Sequence, residues 1–142
     1  MNLTFTVYGK PEPQGSSRAF IPKGWKRAVI TSANAKLKSF RQEVSVTALA
    51  VMRKAGLEPI PAKVPVSLVA RFYFQRPKSK SGKASMTVRP DADKCARSLG
   101  DSLSGICFHD DSQVTVLHVE KHYGNPERTE IEVKRLPDVK EV

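Results

Sequence analysis

The stretch VSLVARFYF, residues 66–74, decides the fold that this 142-residue sequence predicts. It is mostly apolar or aromatic, which is typical of a strand buried near the centre of a sheet. Apolar and polar residues alternate over residues 3–7, which indicates a first strand. Two further strands are predicted over residues 112–123 and 129–134. In the last strand, apolar and charged residues alternate, which favours an exposed or edge position.

Two helices are predicted around the 66–74 strand. Over residues 33–55, apolar residues recur at steps of three and four, giving one apolar stripe, and Gly56 is placed to end the helix. A second helix is expected after Pro90, whose ring suits a first helical turn, with Gly105 as its stop. This order predicts an α+β fold, in which a mixed sheet of about four strands packs against two main helices.

The remaining segments are expected to be irregular parts of one domain spanning residues 1–142. Residues 9–31 and 75–90 form long basic loops, and the first is long enough for a short hairpin. Residues 137–142 are expected to be a loose tail. No apolar run is long enough to span a bilayer, and no signal peptide is expected at the N-terminus. With only Cys95 and Cys107, we expect a reduced, intracellular protein.

The charge distribution indicates a polyanionic partner and a special acidic segment. The net charge is +10, and residues 1–90 hold 17 of the 24 Lys and Arg but only three acids. Residues 91–111 hold five aspartates against two basic residues. A metal-dependent nuclease needs both features, whereas an architectural DNA-binding protein has no use for clustered aspartates. The alternative is a basic soluble domain whose aspartates are helix caps and turn residues.

Basic residues in the loops and beside the aspartates are predicted to contact the DNA backbone. They are Arg18, Lys23, Lys26, Arg27, Lys78, Lys80, Lys83, Arg89 and Lys94. Phe20 and Trp25 lie among the early basic residues. They either stack on unpaired bases or anchor the loop to the core, and the sequence does not separate these alternatives.

The aspartates predict a site for a hard divalent cation. Asp91 and Asp93 lie near the start of the second helix, and Asp111 directly precedes a strand that can run beside that helix. Three carboxylates converging there would suit Mg²⁺, which prefers oxygen ligands, with Asp110 as a weaker candidate ligand. The cation would also relieve repulsion between the carboxylates. Alternatively, Asp91 is only a helix cap, and Asp110 and Asp111 only form a turn.

Arg97 is the basic residue best placed to serve this site. It lies four residues after Asp93 and hence on the same helix face, where it can orient a carboxylate or bind the scissile phosphate. His109 can assist proton transfer, although a lone loop histidine is more often a bystander. An EF-hand is excluded because Cys95 and Ala96 occupy positions that need an oxygen ligand and glycine. Zinc is disfavoured because no close cysteine pair exists.

The acidic segment resembles the RusA family of Holliday junction resolvases. Residues 89–114 carry the pattern: D-x-D, a basic residue four after the second Asp, Asp101, Leu103, Gly105, an aromatic at 108, and D-D-x-Q-V. The opening TFTVYGKPEPQG, residues 4–15, is also similar to phage members. Arg97 stands where the family often has an essential lysine, and Lys94 where asparagine is more usual. Residues 16–18 depart from a basic, proline-containing run.

The resemblance implies a homodimer that hydrolyses DNA with Mg²⁺, with Mn²⁺ as a substitute, and nicks a four-way junction symmetrically. By position, Asp91, Asp93 and Asp111 match the catalytic aspartates, and Arg97 joins them. The expected setting is the cytoplasm of a bacterial host, at the nucleoid, with a phage or prophage gene. Two alternatives remain. One is a broader endonuclease of flaps, forks or replication junctions; the other is a non-catalytic DNA-binding module with a structural cation.

Overall fold

The computed structural model describes residues 1–15, 18–20, 23–24, 29–31 and 35–138, without the side chains of 18–20 and 29–31. Its strands and helices in chain order are β1 Asn2–Tyr8, β2 Arg18–Phe20, β3 Val29–Thr31, α1 Ala35–Ala55, β4 Val66–Phe74, α2 Ala92–Leu103, β5 Val114–Tyr123 and β6 Arg128–Arg135. A short 3₁₀ turn at Asp111–Gln113 leads into β5. No helix within these described ranges has the length and apolar composition to cross a membrane.

The main sheet has four strands in the order β1-β6-β4-β5. Strands β4 and β5 run parallel because the chain crosses back through α2 between them, and the other neighbours are antiparallel. Strands β2 and β3 form a separate hairpin. The predicted α+β architecture of a mixed four-stranded sheet with two helices is therefore confirmed. The apolar 66–74 segment is central, as predicted, with β6 on one side and β5 on the other.

The predicted edge position of the last strand is wrong. Strand β6 lies between β1 and β4, and its alternation instead reflects the two faces of the sheet. Thr129, Ile131 and Val133 are buried in the core, while the charged residues between them lie on the other face. A strand inside a sheet can present one polar face to solvent, so alternation reports burial and not lateral position. The exposed edge next to the candidate site is β5.

The start of α2 differs by two residues from the prediction. Pro90 precedes the N-cap residue Asp91, and the helix begins at Ala92. Its apolar side packs into the core through Cys95, Leu99 and Leu103. Strand β5 likewise begins at Val114 and not at residue 112, because the 3₁₀ turn intervenes. Helix α2 thus lies against β5, with Asp91 and Asp93 at its N-terminal end.

Candidate active site

A groove between α2 and β5 collects the charged residues that the sequence singled out. It encloses a cavity of about 760 Å³. Its charged lining residues are Asp93, Arg97 and Asp101 from α2 and Asp111 from the 3₁₀ turn, and its apolar lining includes Leu68, Leu117 and Val119. The residues at 93, 97 and 100 are spaced by four and three, so one face of α2 lines the groove. The fold therefore brings Asp93, Arg97 and Asp111 to one concave surface.

Asp91 lines a neighbouring cavity of about 400 Å³, together with Arg89 and Lys94. Asp91 occupies the N-cap position of α2, but its side chain makes no capping hydrogen bond. The carboxylate is 55% exposed, and the Lys94 ammonium is 3.9 Å away. A capping side chain accepts a hydrogen bond from the helix N-terminus, and this one does not. Its carboxylate therefore remains available to a ligand.

Asp111 approaches α2 at Gly100. A methyl group built on Gly100 would lie 3.5 Å from Asp111 Oδ2, so Asp111 packs against the helix backbone there. Gly100 is seven residues beyond Asp93, which corresponds to about 10 Å along a helix. Within the described ranges, no three His, Cys, Asp or Glu side chains stand close enough together to hold a metal ion. Asp93 and Asp111 thus both line the groove but lie at different positions along the axis of α2.

Asp110 serves a structural purpose that Asp111 does not share. Its carboxylate accepts hydrogen bonds from the hydroxyl and the backbone N–H of Ser112, while the Gln113 side chain accepts from the Asp110 backbone N–H. This reciprocal cap begins the 3₁₀ turn. The hydroxyl of Ser112 is the main reason why the pKa of Asp110 is lowered. Asp110 also lines a different cavity, together with His109.

Arg97 makes no ion pair with any carboxylate in the described part of the chain. The pairing with Asp93 that its spacing permits is therefore not formed. Asp101, one turn further on, is instead 3.7 Å from the guanidinium of Arg41 on α1. An exposed guanidinium on a groove wall that also carries carboxylates is free to bind a phosphate.

Gln14 is a site residue that the sequence reasoning missed. Its backbone N–H donates to the Lys94 carbonyl over 2.9 Å, which ties the loop after β1 to the first turn of α2. Its side chain lines both cavities, and its Oε1 atom is buried without a hydrogen-bond partner among the described residues. A buried acceptor without a partner is costly. Gln14 lies in the 4–15 stretch that resembles phage members, but its place in the site depends on tertiary contact with α2, which the local sequence does not specify.

The donor types in and beside the groove fit a hard divalent cation, although three of the carboxylates do not converge on one point in the described part of the chain. The available donors are the carboxylates of Asp91, Asp93 and Asp111 and the unpartnered Gln14 oxygen, and oxygen ligands are what Mg²⁺ prefers. The thiols offer no competing ligand set. Burial raises the pKa values of Cys95 and Cys107 to about 12, so both stay protonated at neutral pH.

The predicted DNA contacts fall into two groups. Lys78, Lys80, Lys83 and Arg89 are exposed on the loop between β4 and α2. Arg76 organises this loop from inside, because its guanidinium donates to the carbonyls of Ser81 and Ala84. In the early loop, Lys23 is exposed, whereas the side chain of Arg18 and all of Trp25, Lys26 and Arg27 lie outside the described residues, as does the side chain of Phe20.

Comparison with known families places this chain in a family of nucleases. The family model described as endodeoxyribonuclease RusA matches residues 10–134, a range that includes Gln14 and all the aspartates above. The chain belongs to the RusA family. This RusA-family chain is also 31% identical over 145 residues to a Bacillus subtilis (strain 168) protein named Uncharacterized protein YqaN, covering 94% of this chain and 96% of that relative. RusA membership implies an endonuclease that acts on branched DNA.

Proposed function

We propose that this RusA-family protein is a Mg²⁺-dependent, structure-selective endodeoxyribonuclease that resolves Holliday junctions in DNA recombination and repair. The observation that carries the proposal is the groove, where Asp93, Arg97 and Asp111 share one wall without neutralising one another in ion pairs. Opposite charges left unpaired around a cavity suit a ligand that brings both a cation and an anion. A phosphodiester with its divalent cation has this character.

In this proposal the carboxylates of Asp91, Asp93 and Asp111 would hold the cation after drawing closer together, and the Gln14 oxygen would add a neutral ligand. Asp110 contributes less, since its carboxylate is engaged in the cap of the 3₁₀ turn. A cation held here would activate a water molecule and offset charge on the reacting phosphate. Arg97 binds the scissile phosphate and stabilises its developing charge. Lys94 adds positive charge beside Asp91.

The basic loop between β4 and α2 leads the DNA backbone to this groove. Lys78, Lys80, Lys83 and Arg89 are exposed, and Arg89 lines the same cavity as Asp91. Binding through such contacts depends on the release of counterions and therefore weakens with salt. The early basic residues, including Lys23, would extend this contact.

We also propose that the protein acts as a homodimer. Two nicks on a two-fold symmetric junction are most simply made by two symmetry-related sites. The edge strand β5 leaves the apolar side chain of Val116 48% exposed, and a second copy would cover it. Light scattering is expected to give the mass of two chains. A monomer at working concentration that still makes paired nicks would contradict the dimer.

The function is tested by cutting assays on four-way, flap, fork and linear DNAs of matched sequence. We expect paired nicks in four-way junctions with Mg²⁺ or Mn²⁺ and little cutting with Ca²⁺, whose looser coordination shell positions water poorly. Preferred cutting of flaps or forks would instead indicate a broader branched-DNA nuclease. Tight DNA binding without cutting under any metal would indicate a non-catalytic module. Full activity in excess EDTA would refute the metal mechanism.

A further inference from the structure

Lys121 ties the edge of the sheet to the segment that leads into α2. The residue is on β5, and its ammonium donates to the carbonyl of Val88 over 2.7 Å and to that of Pro90 over 3.0 Å. These carbonyls belong to residues 33 and 31 positions earlier in the chain. Hydrogen bonds from an ammonium are stronger than those between neutral groups, so the contact is a firm attachment between distant segments.

The segment held by Lys121 has no other hydrogen-bonded support. In the described part of the chain, residues 85–90 make no further hydrogen bond, although Met86 packs in the core. Asp91 follows directly, and its carboxylate lacks the capping hydrogen bond that would otherwise orient it. The position of Asp91 is therefore set from two sides: by α2, where the Cys95 N–H donates to the Asp91 carbonyl over 3.2 Å, and by the preceding backbone, which Lys121 fixes.

We propose that Lys121 is a positioning residue of the active site, which clamps the backbone of residues 88–90 to β5 and thereby holds Asp91 in place for the divalent cation. This inference rests on the proposed function. Lys121 is half-buried, and its ammonium donates two hydrogen bonds to backbone carbonyls out of the three it can make. The lysines of the loop between β4 and α2 are instead exposed and available to contact phosphates. The contribution of Lys121 to the reaction is through Asp91 and not through direct contact with DNA.

The test compares Lys121→Met, which keeps most of the side-chain length but donates no hydrogen bond, with Lys121→Arg, which keeps the charge and the donors. Lys134→Met is the matched control, because Lys134 lies on β6 and, among the described residues, its ammonium pairs only with Glu132, at 3.1 Å. Two quantities are measured: the NMR order parameters of the Arg89 and Asp91 amides without metal, and the Mn²⁺ dissociation constant by calorimetry. Should Lys121→Met fail to fold, Lys121→Gln, which keeps a neutral donor, replaces it.

We expect the order parameters at Arg89 and Asp91 to fall in Lys121→Met from about 0.85 towards about 0.6. The Mn²⁺ dissociation constant should rise by about 10- to 100-fold, the usual effect of losing a residue that orients a metal ligand. Lys121→Arg should restore part of the affinity, and Lys134→Met should change neither quantity. A purely structural role would lower the melting temperature without changing the metal affinity of the folded protein.

Two results would overturn the positioning role alone. The first is wild-type Mn²⁺ affinity in folded Lys121→Met. The second is a shallower salt dependence of DNA binding at unchanged Mn²⁺ affinity, since this would make Lys121 a phosphate contact. A wild-type protein that binds no Mn²⁺ and cuts no branched DNA would refute the proposed function itself, and the positioning role with it.

Discussion

Acidic residues on the two sides of β5 are in opposite states: one belongs to β5 itself, and the others reach the groove from α2 and the 3₁₀ turn. On the outer face, Glu120 accepts from His118 and His122 at 2.6 and 2.7 Å and pairs with Arg71 at 3.3 Å. In the groove on the other side, Asp93 and Asp111 form no ion pair within the described part of the chain. The outer charges satisfy one another, as on an ordinary solvated surface. The carboxylates in the groove are unpaired and therefore available to bind a ligand.

The largest effect should come from Asp93→Asn in the groove. Removing this carboxylate weakens the hold on the cation and should slow cutting by at least about a thousandfold, several kcal/mol of transition-state stabilisation. DNA binding should stay equal or become tighter, because one negative charge that repels phosphate is lost. Single-turnover cutting and a binding assay in Ca²⁺ measure the two quantities.

Glu120→Gln on the outer face is the matched control for Asp93→Asn. It removes an equivalent charge from the other side of β5, where we expect the cutting rate to stay within about twofold of wild type. If both variants cut equally well, the distinction between paired and unpaired carboxylates has no functional meaning. If Glu120→Gln is the inactive one, the site lies on the wrong face of the sheet.

Arg97→Ala should have the next largest effect. Losing a positioned charge that stabilises the reacting phosphate typically costs about 3 kcal/mol, or roughly a hundredfold in rate. Binding should weaken much less. Arg97→Lys should recover part of the rate, since an ammonium supplies charge without the planar fork. These rates are measured in single turnovers at saturating protein.

Arg71→Ala supplies the control for Arg97, because Arg71 is paired with Glu120 on the outer face. A pair of this exposed kind contributes at most about 1 kcal/mol, so its loss should leave cutting unchanged. An Arg97→Ala rate within about twofold of wild type would remove Arg97 from the active site.

A smaller effect is expected from replacing Lys78, Lys80 and Lys83 with alanine. If each contacts one phosphate, the slope of log binding constant against log salt should become shallower by up to about three. The control replaces Lys36, Lys38 and Lys54, exposed lysines of α1, and removes the same charge. Equal slopes for the two triple variants would mean that net charge, and not the loop, determines binding.

The fold was largely predictable because its main elements are encoded locally. The apolar run of β4, the stripe of α1 and Gly56 after it each carry their signal within a few residues. The lateral place of β6 was not predictable, since alternation encodes only which side chains are buried. Strand order depends on pairing partners far away in sequence, which a local pattern does not specify.

The charged residues of the candidate site were predictable from the sequence. The residues that hold them in place from distant parts of the chain were not. Asp93, Arg97 and Asp111 follow from spacing on α2 and beside β5. The separate role of Asp110 had a readable signal, since Asp110 and Gln113 have the spacing of a capping box. Gln14 and Lys121 act through contacts across 80 and about 30 residues, so only the tertiary structure places them.

The smallest expected effect is on the free energy of unfolding at low pH. It tests whether the carboxylate on the outer face of β5 is held in its pairs. Hydrogen bonds from His118 and His122 lower the pKa of Glu120 from 4.5 to about 2. A carboxyl whose pKa is lower in the folded than in the unfolded state stabilises the fold above the unfolded value, and loses this contribution as the pH falls through the folded value. Wild type should therefore lose stability between about pH 4.5 and 2 more steeply than Glu120→Gln, which has no proton to take up there.

Urea unfolding at stepped pH values measures the difference, with Asp101→Asn, whose partner Arg41 is 3.7 Å away, as the control. Identical acid profiles for wild type and Glu120→Gln would mean that the outer charges are not held in their pairs, and the contrast with the groove would lose its physical basis.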